Sequence, residues 1–244
     1  MEEKASFIVL SRTESTNDYA MDLIRQGRAS VGLALFTADQ TAGKGQRGKV
    51  WEGEPGKNLA VSIILSPGQE FKLDKFFFNA HLTISCLRFL QNLVPIGLTI
   101  KWPNDIYRQD KKLAGILIEN VIRGKSWDWA VAGIGINVNQ TDFSKLNGRA
   151  VSLSSITGIT YDPEKLSKSL HQFVLASFME KLNEAELMRN FNDCLYKRGE
   201  KVLLQAGEDV LEAVILGVNE FGQLQVLDDS ENIRTFNVGE VVWK

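Results

Sequence analysis

Residues 41–56 carry five glycines, Gly43, Gly45, Gly48, Gly53 and Gly56, in sixteen positions. No regular element survives that density, because each glycine brings backbone freedom that a helix or strand interior must remove. The apolar runs on either side, 31–38 and 59–65, read as strands. The segment is therefore a loop thrown from a sheet. Its glycines let the backbone approach a ligand and turn N–H groups toward an anion. Lys44, Arg47 and Lys49 add positive charge, so a polyphosphate suits it, although a solvated basic turn explains the loop alone equally well. Such a loop can close on a ligand. Residues 43–49 mimic the start of a P-loop, but Val50 stands where a magnesium-binding hydroxyl belongs and no helix can open at 51–56.

Elsewhere strands and helices alternate. Residues 7–10 form a short strand. Residues 17–26 form a helix that Ser15 or Thr16 can cap and Gly27 stops. Residues 73–94 are helical, 98–102 a strand halted by Pro103, 105–121 a hairpin turning at 109–111, 129–137 a buried strand, and 163–194 helical in two pieces. After Gly199 the texture changes to short strands split by Gly207, Gly217, Gly222 and Gly239, which suggests a small all-β barrel. The boundary falls near Lys197, dividing the chain into 1–196 and 197–244.

A second constellation is Lys101-Trp102-Pro103-Asn104-Asp105 followed by Lys112. A strand ending at Lys101 delivers Asn104 and Asp105 at its edge, where a carboxylate can hold Mg²⁺ together with phosphate oxygens. Lys112, on the hairpin's return arm, can stabilise charge spreading over a transferring phosphorus. Gly133-Ile134-Gly135-Ile136-Asn137 is half of a dinucleotide fingerprint, without its third glycine. Cys86, Cys194, His81 and His171 fall in helical patterns and read as structural groups.

Taken in order, Ser15-Thr16-Asn17, the loop 40–51, Lys101 to Asp105, Lys112 to Leu117 and Gly133 to Asn137 resemble the catalytic core of biotin–protein ligases, in the superfamily shared with lipoate ligases. The resemblance implies an α+β fold: a class II aminoacyl-tRNA synthetase-like mixed sheet with helices on one face, then a small SH3-like β-barrel. It implies ATP-dependent formation of biotinyl-5′-AMP and transfer of biotin to a lysine of a biotin carboxyl carrier domain, with Mg²⁺. By the same resemblance Ser15, Thr16, Asn17 and Gln40 hold the biotin ring system, and Gly43, Lys44, Gly45 and Gln46 close over it. Lys112 and Gly115 border its carboxylate. Trp51, Lys101, Asn104, Gly133, Gly135 and Asn137 serve the nucleotide, Asp105 the metal, and Lys112, Arg47 and Lys101 the charge of the reaction. The family loop commonly runs Gly-Arg-Gly-Arg-Arg-Gly, whereas here Lys44 and Gln46 replace two arginines. Lys44 loses the planar fork, and Gln46 loses the charge. If the reading holds, lid and lysine–aspartate pairs must converge on a shared pocket large enough for a vitamin joined to a nucleotide.

Formal net charge is -2, from 28 basic and 30 acidic residues, so no global attraction draws nucleic acid or anionic lipid. The catalytic pattern begins by Ser15, leaving no room before it for a DNA-binding domain, and no repressor role is expected. An acidic start unlike a signal peptide, no membrane-spanning run and only two cysteines suit a cytoplasmic enzyme. Exposed sheet edges could pair two copies into a homodimer. The rival readings are a ligase for lipoate or octanoate, and a non-catalytic binding protein.

Overall fold

A seven-stranded mixed sheet and a five-stranded antiparallel sheet organise the chain, in a computed structural model that describes residues 6–67 and 75–244. In space the large sheet runs β1 (Phe7–Val9), β2 (Ala34–Thr37), β3 (Leu59–Leu65), β7 (Ser126–Ile136), β6 (Lys111–Arg123), β5 (Asp105–Arg108) and β4 (Leu98–Lys101). Among the described strands of this sheet only β1 and β2 pair in parallel. The helices are α1 (Thr16–Arg25), α2 (Lys75–Gln91), α3 (Leu153–Thr157), α4 (Pro163–Met179) and α5 (Glu184–Asp193). The start of the 73–94 helix and the acidic residues 1–5 lie outside the described residues.

β3 shows how the sheet is built. All seven of its residues are buried, and alternate side chains point to opposite faces. Leu59, Val61, Ile63 and Leu65 join Phe36, Ile134 and Ile136 in the main core with α2, α4 and α5. α2 is buried on nearly all sides, as a helix sandwiched between a sheet and other helices must be. Ile64 instead meets Leu35, Val131 and the α1 residues Ala20, Leu23 and Ile24. The expectation of helices on one face alone is thus corrected. β2, β3 and β7 carry a second apolar set, and burying each large member of it contributes roughly 1.5–3 kcal/mol, so α1 covers that end of the other face.

Helix boundaries follow their caps. The side chains of Ser15, Asp162 and Asn183 accept backbone N–H groups at the starts of α1, α4 and α5. α3 is an element that no periodicity announced. Ser152 caps it, and Gly158, at φ 74°, stops it after five residues. Cys194 lies just past α5 as its C-cap. Burial raises both thiol pKa values above the ordinary range, most strongly for the fully buried Cys86. His171 is buried with Nε2 2.7 Å from Gly32 O, and His81 Nε2 lies 3.1 Å from Ser177 O.

The second sheet has the order β11 (Ile233–Phe236), β10 (Leu224–Asp228), β9 (Asp209–Val218), β8 (Lys201–Ala206), β12 (Val241–Trp243). The chain crosses between sheets within a few residues. Tyr196 N donates to Ile100 O of β4 at 2.8 Å, and Gly199 N donates to Ile215 O of β9 at 2.8 Å. Trp102 binds the sheets together, its indole N–H donating to Gly222 O at 3.0 Å.

Candidate active site

Cross-strand register draws one line of residues across the face opposite the main core: Thr37, Ala60, Gly135, Gly115, Asp105, Lys101. Its middle has no side chains, so the line is a trench with Asp105 and Lys101 at one end. Other groups lie in it. A Cβ on Gly135 would fall 2.5 Å from Trp51 Cε2, and one on Gly115 would fall 2.8 Å from Lys112 Nζ and 3.2 Å from Asp105 Oδ1. One row along, a Cβ on Gly133 would fall 2.3 Å from Asn17 Oδ1. Comfortable contacts begin near roughly 3.5 Å, so a side chain at any of these glycines would have to displace Trp51, Lys112 or Asn17.

Lys112 reaches this face because β6 is bulged. Ile106 pairs with Ala114 but Tyr107 pairs with Lys112, leaving Leu113 as the extra residue. Without the bulge Lys112 would share the parity of Ala114 and Ile116, which point into the core. A bulge re-aims a side chain in this way. Lys112 Nζ lies 2.7 Å from Asp105 Oδ1 and 5.6 Å from the Trp51 ring centroid. The pair is about 30% exposed on both sides, so its worth for stability is small and its worth is placement. Asn137, buried, donates its side-chain N–H to Lys112 O at 3.2 Å and holds the bulge to the end of β7.

A polar chain closes the other end. Gln40 Oε1 accepts from Thr16 N at 2.8 Å and from Thr16 Oγ1 at 3.1 Å. Ser62 Oγ, fully buried on β3, lies 2.7 Å from Thr16 Oγ1 and donates to Asn17 Oδ1 at 2.6 Å. Asn17 Nδ2 donates to Glu119 Oε2 at 2.8 Å. Ser15 spends its hydroxyl oxygen on Asp18 N, as the α1 cap. The motif reading missed Ser62 and Glu119. The signal for both was parity: Ser62 stands two residues from Ala60 on β3 and Glu119 four residues from Gly115 on β6, each on the face of the sheet that carries the site.

The glycine loop folds as an irregular hairpin over this face. Trp51 N donates to Gly43 O at 2.8 Å and Gly45 N to Lys49 O at 2.7 Å. Gly43 is required at the neck, where a Cβ would meet Trp51 O at 2.5 Å. A 3₁₀ turn at Gln46–Gly48 forms the tip, with Arg47 left-handed at φ 57°. Lys44 Nζ pairs with Asp18 Oδ1 at 2.5 Å, and this hydrogen bond raises the Lys44 pKa. Arg47's guanidinium donates to Val238 O in the turn between β11 and β12 and lies against Gly239. Gln46 is half-buried, and its side chain makes no hydrogen bond among the described residues. Asn104 is buried and its amide donates to Ile116 O at 2.6 Å, tying the residue before β5 to the middle of β6.

Lys101 ends the trench. Its Nζ lies 4.8 Å from the ring centroid of Tyr107, 5.2 Å from that of Trp243 and 5.4 Å from that of Tyr196. Burial lowers its pKa, with Asp105 pulling the other way. Tyr107 is pushed up to about 12, by burial first and then by Asp105.

The trench holds a depression of about 20 Å³ beside Thr37, Gln40 and Trp51, with the Trp51 indole and the Lys112 chain lying on the glycines. The larger cavity, about 200 Å³, is on the far face between α2, α4 and α5. Among the described residues no three His, Cys, Asp or Glu side chains converge to cage a metal. Asp105, a single carboxylate about 30% exposed, is a donor of the kind Mg²⁺ takes alongside phosphate oxygens. No helix of the described residues is long and apolar enough to cross a membrane.

Comparisons with known proteins point the same way. The sequence profile of the biotin/lipoate A/B protein ligase family matches residues 9–137. The bifunctional ligase/repressor BirA of Escherichia coli is 35% identical over 171 residues, covering 68% of this chain and 51% of that protein, so the chain spans about half the length of that relative. The biotin–[acetyl-CoA-carboxylase] ligase of Paracoccus denitrificans is 29% identical over 224 residues, covering 88% of this chain and 92% of the relative. In structure, the biotin protein ligase of Aquifex aeolicus in complex with biotin and ATP superposes with a TM-score of 0.80 at 28% identity over 99% of both chains.

Proposed function

Since the chain belongs to the biotin/lipoate A/B protein ligase family, we propose that it is an ATP-dependent biotin–protein ligase acting on a biotin carboxyl carrier domain. The observation that carries this reading is the trench. Gly133, Gly135 and Gly115 clear a strip of sheet with hydrogen-bonding groups at one end and two lysines with an aspartate at the other. That polarity suits a neutral, hydrogen-bonding ring system joined through a carboxylate to a polyphosphate. Residues 1–196 are read as a class II aminoacyl-tRNA synthetase-like catalytic domain and 197–244 as an SH3-like barrel. The enzyme works in the cytoplasm, needs no nucleic-acid partner and leaves sheet edges for a homodimer.

In the first half-reaction a biotin carboxylate oxygen attacks the α-phosphorus of ATP, and the bond to the bridging oxygen breaks to release pyrophosphate. In the second, the carrier lysine amine attacks the acyl carbon, loses a proton and expels AMP. Neither step uses an enzyme nucleophile; positioning and charge stabilisation suffice. Thr16, Asn17 and Gln40, with Ser15 at the cap, hold the biotin rings, and Ser62 and Glu119 fix the direction of their hydrogen bonds. Lys112 meets the carboxylate and α-phosphate, and Lys101 meets the outgoing phosphates. Asp105 is the residue to hold Mg²⁺, whose charge neutralises the phosphates. Trp51 leaves Gly135 to pack on the nucleotide while Gly43, Lys44, Gly45 and Gln46 cover the anhydride from water. Arg47 fastens that cover to the small sheet rather than touching reacting atoms.

The test is incubation of the chain with biotin, ATP, Mg²⁺ and a biotin carboxyl carrier domain, read by mass spectrometry. A single biotinyl addition on one lysine is expected. Transfer of lipoate or octanoate but not biotin overturns the substrate assignment, and binding without any transfer overturns the enzyme.

A further inference from the structure

Three aromatic rings surround the Lys101 ammonium, and they come from distant parts of the chain. Tyr107 is on β5, Tyr196 follows α5, and Trp243 is on the last strand, β12. The rings also brace each other, with centroids 5.4 Å apart for Tyr107 and Tyr196 and 5.6 Å apart for Tyr196 and Trp243. Tyr196 is fixed further by donating its hydroxyl proton to Asp110, whose charge Lys197 meets at 3.5 Å. Among the described residues no carboxylate lies within ion-pair distance of Lys101. Asp105, its neighbour in register, gives Oδ1 to Lys112 instead.

We propose that Tyr107, Tyr196 and Trp243 form an aromatic box that holds the Lys101 ammonium charged and unpaired at the trench end, where it receives the terminal phosphates of ATP. The box keeps the cation by its ring faces while leaving its N–H donors for an anion that arrives and departs. Strand β12 is thereby a working part of the nucleotide site. The three aromatics are positioning residues that act through Lys101. This rests on the ligase reading above, and extends it to residues that no motif contains.

Trp243→Leu and Tyr196→Leu in the full chain test the box, measured by biotin-dependent ATP–pyrophosphate exchange and by calorimetric titration with magnesium pyrophosphate. Each variant is expected to raise the KM for ATP and the Kd for pyrophosphate about tenfold, the loss of one ring–cation contact, with the KM for biotin unchanged. Tyr196→Phe keeps the ring, drops the bond to Asp110 and is expected to restore the wild-type ATP KM. Lys101→Gln alone weakens pyrophosphate binding, and adding Trp243→Leu to it weakens binding no further. Three results overturn the box: an ATP KM within twofold of wild type in folded leucine variants, a parallel rise in the biotin KM that marks a structural joint, or additive Lys101 and Trp243 effects. A wild-type chain that binds pyrophosphate but shows no biotin-dependent exchange overturns the ligase reading, and the titrations still decide on the box.

Discussion

A single methyl group at Gly115 is predicted to separate the chemistry from the fold. In Gly115→Ala the new Cβ would stand 2.8 Å from both Cε and Nζ of Lys112 and 3.2 Å from Asp105 Oδ1. Reaching a contact of roughly 3.5 Å requires Lys112 to withdraw by about 0.7 Å, which takes the 2.7 Å ion pair with Asp105 toward the limit of a hydrogen bond. A reacting group misplaced by about 1 Å costs on the order of 10²-fold in rate. The expected loss of adenylate formation is therefore about 10- to 100-fold, or roughly 1.4–2.7 kcal/mol of barrier. Stability should scarcely change. The yielding atoms are the end of a flexible, partly exposed side chain, and alanine gains back roughly 0.5–1 kcal/mol over glycine in a strand. The assay is biotin-dependent ATP–pyrophosphate exchange beside a thermal melt. Exchange within twofold of wild type, with the melting temperature held to within about 3 °C, would show that the Lys112–Asp105 geometry does not govern the step.

Three further outcomes are expected. Lys112→Ala should leave the fold intact and suppress biotin-dependent pyrophosphate release by orders of magnitude; near-normal release rejects the role. Gln46→Arg should retain biotinyl-AMP better than the native chain, which a chromatographic assay of free adenylate reads directly, and equal leakage removes the argument from the missing charge. His171 should make the fold acid-sensitive: burial holds its folded pKa below the ordinary 6.5, so the unfolded chain takes the proton first and stability falls as pH drops through that value. Melting at pH 7.5 and 5.5 should therefore show a drop that is smaller in His171→Gln.

The strands were legible because their alternation is coarse, and so was the change of texture near Lys197, where the chain leaves β4 for β9 within a few residues. Helix limits were legible wherever a cap stood next to an apolar stripe, as at Ser15 and Gly27. α3 escaped because five residues are too few to show a period. Within the site, Thr16, Asn17 and Gln40 converge as their motifs imply, whereas Arg47 and Asn104 do not join them. Arg47 departs because its left-handed backbone turns it toward Val238. Asn104 is buried, and its amide finds a partner in Ile116 O. Neither cause is written in local sequence.

The least legible feature is the one the site depends on most. Counted by twos from Gly115, Lys112 belongs to the core-facing side of β6, and a regular strand would bury its ammonium against Ala114 and Ile116. Burying an unpaired charge there would cost several kcal/mol. The bulge at Leu113 removes that conflict by giving the strand one extra residue, so that Leu113 and Ala114 both enter the core while Lys112 crosses to the trench. Lys112-Leu113-Ala114-Gly115 therefore encodes a change of parity. Two apolar residues in succession are the bulge, with the cation before them and the glycine after them on one face. Gly133-Ile134-Gly135-Ile136 carries the complementary message without a bulge, with isoleucines to the core and bare backbone to the site. Parity places the trench floor and the cation on the same side of the sheet, and it does so by burial energetics that would operate whatever ligand the trench accepts.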